Sequence, residues 1–76
     1  MKVEDMVYVI ERGNIIVTDL EDNIPLHIND KLKISDNGFE ITGIEMASHS
    51  KRIGLILRPN PTVKEAVKIK DDIIKL

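Results

Sequence analysis

The side chains able to do chemistry in this chain are few, and their types point to binding more than to covalent catalysis. His27 and His49 are the only histidines, and Ser48 and Ser50 flank the second of them. A serine–histidine pair also needs an orienting carboxylate and an oxyanion hole. Neighbours on an extended segment point to opposite faces, so this trio reads as solvated loop. Asp19, Glu21 and Asp22 form an acidic run whose oxygens suit a hard cation. The run lacks the Asp-x-Asp-x-Asp-Gly spacing of a calcium loop, so a solvated turn is expected. No enzyme activity, metal or cofactor is assigned.

The basic residues offer a second chemistry. Lys51, Arg52 and Arg58 flank one apolar segment, and Lys31 and Lys33 alternate along another. Together they can form a local strip contacting phosphates. The bland reading is outward-facing charge, since alternating lysine also keeps exposed strands from aggregating. Tyr8 and Phe39 are the only aromatics, too few and too far apart in sequence to argue for base stacking. Phe39 is expected in the core.

Composition sets the frame for these residues. The chain has 76 residues, 11 basic and 13 acidic, for a formal net charge of −2. One small domain spanning 1–76 is expected, with a mixed surface that lacks the strong positive charge of a general nucleic-acid binder. There is no cysteine, which rules out disulfides and thiolate metal sites. No apolar run approaches the roughly 18 residues of a membrane span, and the first residues carry acids and no signal-peptide core. A cytoplasmic protein without membrane contact is expected.

The elements that must position the basic residues are strands, because Ile, Val and Leu dominate the apolar content. Met6–Ile10 is an apolar run ended by Glu11-Arg12-Gly13-Asn14. Asn14–Leu20 reads as a strand with Ile15 and Val17 on one side and Ile16 and Thr18 on the other. Leu26–Ile28 reads as a brief extended piece before a turn at Asn29-Asp30. Lys31–Ser35 alternates polar and apolar residues, and Asn37-Gly38 is the strongest hairpin signal in the chain. Phe39 and Ile41 share a face, but beyond Gly43 the apolar residues are Ile44 and Met46. That change of parity predicts a β-bulge at or beside Gly43. Arg52–Arg58 is the clearest buried strand, stopped by Pro59-Asn60-Pro61. Thr62-Val63-Lys64-Glu65 has the pattern of a capping box, predicting a short helical turn near residues 62–66. Residues 67–76 fit either a helix or a closing strand, and the strand is preferred because a barrel needs both edges paired.

These segments, in order and spacing over about residues 4 to 76, resemble the β-barrel second domain of translational GTPases such as elongation factor Tu. The resemblance is carried by Val9-Ile10-Glu11-Arg12-Gly13, Ile15–Thr18, Ile28–Leu32, Thr42-Gly43-Ile44-Glu45-Met46, Arg52–Arg58 and Ile69–Ile74. It implies an all-β, six- or seven-stranded barrel without its GTPase domain. It also implies a translation-related role docking on RNA, the ribosome or tRNA, with Glu45 at the position that lies against a terminal adenosine. The family's long basic loop is cut here to Ala47–Lys51, and Arg52 replaces its Asn, so charged tRNA is not expected to bind this chain alone. No Gly-x-x-x-x-Gly-Lys-Ser/Thr phosphate loop is present, so no nucleotide is expected. The residues assigned to RNA are Lys31, Lys33, Glu45, Lys51, Arg52 and Arg58. The alternative is a protein-interaction barrel, an adaptor or a self-associating subunit, pairing through an exposed edge or apolar end.

Overall fold

A computed structural model of the chain describes residues 1–21, 24–46, 51–61 and 67–76. Six antiparallel strands form one sheet: β1 (Asp5–Val9), β2 (Gly13–Asp19), β3 (Lys31–Ile34), β4 (Asn37–Met46), β5 (Arg52–Arg58) and β6 (Ile73–Lys75). Their spatial order is β1-β2-β5-β4-β3-β6. The segment after Val67 therefore ends as a strand, with β6 antiparallel to β3. The expected helical turn at 62–66 lies outside the described residues.

One face of this sheet makes the core. Ile16 and Thr18 of β2, Leu32 and Ile34 of β3, Phe39 and Ile41 of β4, and Ile53, Leu55 and Leu57 of β5 are all buried. Val3, Val67 and Ile73 complete the cluster. Thr18 is its one polar member among the described residues, and its hydroxyl donates to the Lys2 carbonyl at 2.7 Å. That bond answers the cost of an unsatisfied buried hydroxyl.

The predicted bulge is present. Ile41 pairs with Leu57 and Gly43 with Ile56, so Thr42 is the extra residue on β4. With it, Ile44 rejoins the core side and packs there. Met46 pairs with the buried Ile53 but stays exposed at the end of β4.

The hairpin turn sits two residues earlier than the Asn37-Gly38 signal placed it. Ser35 and Asp36 make the turn, with φ of 48° and 67°, as both central residues of a type I′ turn require. Ile34 then pairs with Asn37 and Leu32 with Phe39. A turn at Asn37-Gly38 would have set Asp36 opposite Phe39 on the buried face, so burial overrules the stronger local signal. Leu26–Ile28 is likewise not a strand. The His27 N–H donates to Asp30 Oδ2 at 2.8 Å, and the Asp30 N–H closes a turn onto the His27 carbonyl at 3.1 Å. Such local bonds compete with a ladder.

The named strands do not close into a barrel, because β1 and β6 are the two edges and do not pair. Their lead-ins meet instead, through an isolated bridge between Lys2 and Asp72. The Val3 N–H donates to the Asp71 carbonyl at 2.9 Å, and the Ile73 N–H to the Met1 carbonyl at 2.7 Å.

At the opposite end, Asn60 fastens the β1–β2 turn. Its Oδ1 accepts the Asn14 N–H at 3.1 Å, while Asn14 Nδ2 donates to the Pro61 carbonyl at 2.7 Å. Gly13 beside it has φ of 80°, and a Cβ there would lie 2.5 Å from the Asn60 side-chain amide. Gly13→Ala should therefore cost about 1–2 kcal/mol, from left-handed backbone strain with the clash adding to it. Gly38→Ala, with nothing within 4 Å and no turn to serve, should stay within about 0.5 kcal/mol. Urea denaturation of both variants checks the pair.

Candidate functional site

The face of the sheet turned away from the core divides into two halves of different chemistry. Strand alternation puts Val7 and Val9 of β1, Ile15 and Val17 of β2, and Gly54 and Ile56 of β5 side by side, as their pairing registers show. This half is apolar. Val7 and Val9 are exposed, whereas Ile15 is buried although it lies outside the core cluster. A groove of about 340 Å³ runs across it, lined by Val7, Val9, Ile15, Val17 and Gly54, with Glu45, Met46 and Arg52 at its margin. Gly54 keeps the groove open, because a Cβ there would meet Ile15 Cγ2 at 2.9 Å. Sheets of small domains can leave such a face wet, but then the outward residues are normally polar.

Two ion pairs mark the rim. Arg12, in the β1–β2 turn, pairs with Glu45 of β4. Arg52 Nε lies 3.2 Å from Asp19 Oδ1 across the β2–β5 ladder. Exposed pairs of this kind contribute little stability. They do decide which charges face a visitor.

The second half of the face is charged. Glu40 of β4 stands between Lys31 of β3 and Arg58 of β5 and pairs with both. The Lys31 hydrogen bond, joined by the Arg58 charge, holds its carboxyl below the usual range. Lys33 Nζ is 3.6 Å from Asp36 Oδ1. Away from this face, the His27 N–H and then Lys75 lower Asp30. Lys2 lowers Asp72, and is itself raised by that partner.

Of the residues assigned to RNA, the structure groups Lys31 and Arg58 around a carboxylate and leaves Lys33 beside another. Arg52 is at the far end of β5 from Arg58, about 20 Å away at roughly 3.3 Å per residue. Lys51 is exposed one residue before β5, and its carbonyl accepts the Leu20 N–H at 2.7 Å. The six residues therefore form two separate groups, each interleaved with acids. Glu45 does lie at the groove, opposite Gly54. Sequence reasoning missed Arg12 and gave Val7, Val9 and Val17 no role. Their signal was present in two strands, β1 and β2, that are apolar on both faces.

His27 Nδ1 is 3.7 Å from Asp30, and Glu21 pairs with the amino terminus at 3.2 Å. Among the described residues no three acidic or histidine side chains cluster to hold a metal ion, and no helix is long and apolar enough to cross a membrane. His49 and Asp22 lie outside the described residues.

Comparison with known proteins adds no relative: no family model, no curated protein and no solved structure matches the chain. The likeness to the translational GTPase barrel is thus carried by the residue motifs alone.

The depressed carboxylates have a pH consequence. A lowered folded-state pKa contributes stability above the unfolded value, about 4.3 for Glu and 3.9 for Asp, and that contribution vanishes as pH falls through the folded value. The thermal midpoint should hold from pH 7 to about 5 and fall below about 4. Glu40→Gln should start lower at pH 7, and its curve should converge on the wild type toward pH 3, as followed by circular dichroism.

Proposed function

We propose that this chain is a non-enzymatic binding module and that its docking surface is the apolar half of the outer face, on β1, β2 and β5. One observation carries this: exposed Val7 and Val9 adjoin a groove floored by Gly54, where a solvated sheet face would carry polar side chains. Contiguous exposed apolar surface rimmed by charge favours a protein partner. The paired state of Lys31, Lys33, Arg52 and Arg58 supports a protein more than a polyphosphate chain, since each cation already faces a carboxylate.

A second reading is docking on RNA or the ribosome, in keeping with the resemblance to the translational GTPase barrel. Its support is the position of Glu45, which stands at the groove margin with Arg52, Lys51 being the residue just before Arg52 in the chain. Under this reading the sheet, joined at its lead-ins, serves as a nearly closed barrel.

Co-sedimentation and affinity capture with extracts of the protein's own cells, at low and moderate salt, separate the two. The protein reading expects capture that tolerates salt and is lost in Val7→Glu/Val9→Glu. Binding to ribosomes or tRNA that falls steeply with salt, is lost in Lys51→Ala/Arg52→Ala and survives the valine variant would overturn it in favour of RNA.

A further inference from the structure

Every residue from Met6 to Ile10 is apolar. A continuous apolar run is the signature of a strand covered on both faces, yet β1 stands at the edge of the sheet. Val7 is 44 % exposed, Tyr8 69 %, Val9 36 % and Ile10 78 %. Edges are usually blunted by lysine, proline or shortness. The other edge follows that rule: β6 has three residues and ends in Lys75. Within β1 the one charged residue is Asp5, whose Oδ1 accepts the Met6 N–H at 2.8 Å.

The ladder fixes which backbone groups are open. The Arg12 N–H donates to the Val9 carbonyl at 3.1 Å on the β2 side, and Val9, Val7 and Asp5 pair with Gly13, Ile15 and Val17. Alternation in an antiparallel pair then aims the backbone of Asp5, Val7 and Val9 at β2, and that of Met6 and Tyr8 at the outer edge, where the Met6 N–H is held by Asp5 Oδ1 and has to exchange that bond for a carbonyl of an incoming strand.

We propose that β1 pairs with β1 of a second copy of this chain, antiparallel, across a two-fold axis at Val7. This register gives all five residues of β1 a partner. Met6 stands opposite Tyr8, Asp5 opposite Val9, and Val7 opposite itself, so the contact is isologous. No like charges stand directly opposite, and a net charge of −2 opposes association only weakly. The fit extends to side chains. An apolar-lined groove of about 350 Å³ lies between Met6 and the segment Val67–Ile69, where Tyr8 of the second copy would project. The contact is one strand wide and belongs to the small class of interfaces, so the dimer is reversible. The inference rests on the protein-docking reading; the join runs along the edge of β1 and continues the sheet, so that the two apolar outer faces lie side by side.

The chain has no cysteine, which makes the register directly testable. Sedimentation velocity across a concentration series should show reversible dimerisation. Tyr8→Pro removes the edge-facing N–H while leaving the β1–β2 bonds of Val7 and Val9, and should raise the dissociation constant by about tenfold or more. Tyr8→Lys keeps that N–H but sets a charge against the apolar groove beside Met6, and should also weaken the dimer if the proline variant misfolds. Under mild oxidation Val7→Cys should form a disulfide dimer, because the two-fold sets these residues in a non-hydrogen-bonded pair about 4.5 Å apart. Val9→Cys should not, its mates lying roughly four residues apart along the join. A monomer at every concentration, with no Val7→Cys crosslink, overturns self-pairing. Equal crosslinking at both positions, or a dimer indifferent to both Tyr8 variants, overturns this join. Either result leaves docking of a different protein to be decided by the capture experiment.

Discussion

β4 and β5 must both keep apolar residues turned inward along their whole shared ladder, and the layout of the sheet follows from how they do so. These two central strands share the longest ladder, and each must present apolar residues to the core along its length. β5 does so by simple alternation of Ile53, Leu55 and Leu57. β4 cannot, because Phe39 and Ile41 differ in parity from Ile44. The extra residue at Thr42 resolves the conflict, at the price of one irregular step in the ladder. Without it, either Phe39 and Ile41 or Ile44 would face water. The same step sets Gly43 and Glu45 on the outer face and thereby defines one margin of the groove.

The outer face follows from what the core leaves over. From β5 across β4 to β3, the outward residues are Arg58, Glu40, Lys31 and Lys33, a mixed ionic surface at home in water. From β5 across β2 to β1, they are Gly54, Ile56, Ile15, Val17, Val7 and Val9. A sheet with one solvated face has no structural need for a second apolar layer there. The core is already complete without it: Ile15 is buried yet belongs to no part of the main cluster. Binding accounts for that apolar layer more simply than folding does. The edge of the sheet lies at the same place, so backbone hydrogen bonds and apolar contact are on offer together, the combination by which strands recognise strands.

Much of this was legible in the sequence, and the failures have physical causes. Strands β2 to β5 and the bulge were readable because period-two patterning and parity are properties of short segments, whereas β1 showed only as an apolar run and the strand at the end of the chain pairs with β3 and closes no barrel. The Ser35-Asp36 turn was misplaced because Asn37-Gly38 is the better turn dipeptide. The deciding interaction was the pairing of Leu32 with Phe39 across the strands. The basic strip dissolved for a related reason: Arg52 meets Asp19, and Arg58 meets Glu40, across long stretches of chain. Counting charges along the sequence cannot show which neutralises which. The apolar outer layer was also visible, in a β1 apolar on both faces, but its meaning emerged only when β1 proved to be an edge.

On this reading the edge strand β1 is completed by a second copy of the chain, and the apolar half of the outer face stays available to a protein partner. Amide and methyl chemical shifts of isotope-labelled protein, followed through a dilution series, test it most directly. Concentration-dependent shifts should centre on residues 5–10 and Val67–Ile69, with Lys31, Glu40 and Arg58 unchanged. Shifts centred on the charged half, or none in β1 at any concentration, would rule out pairing through β1.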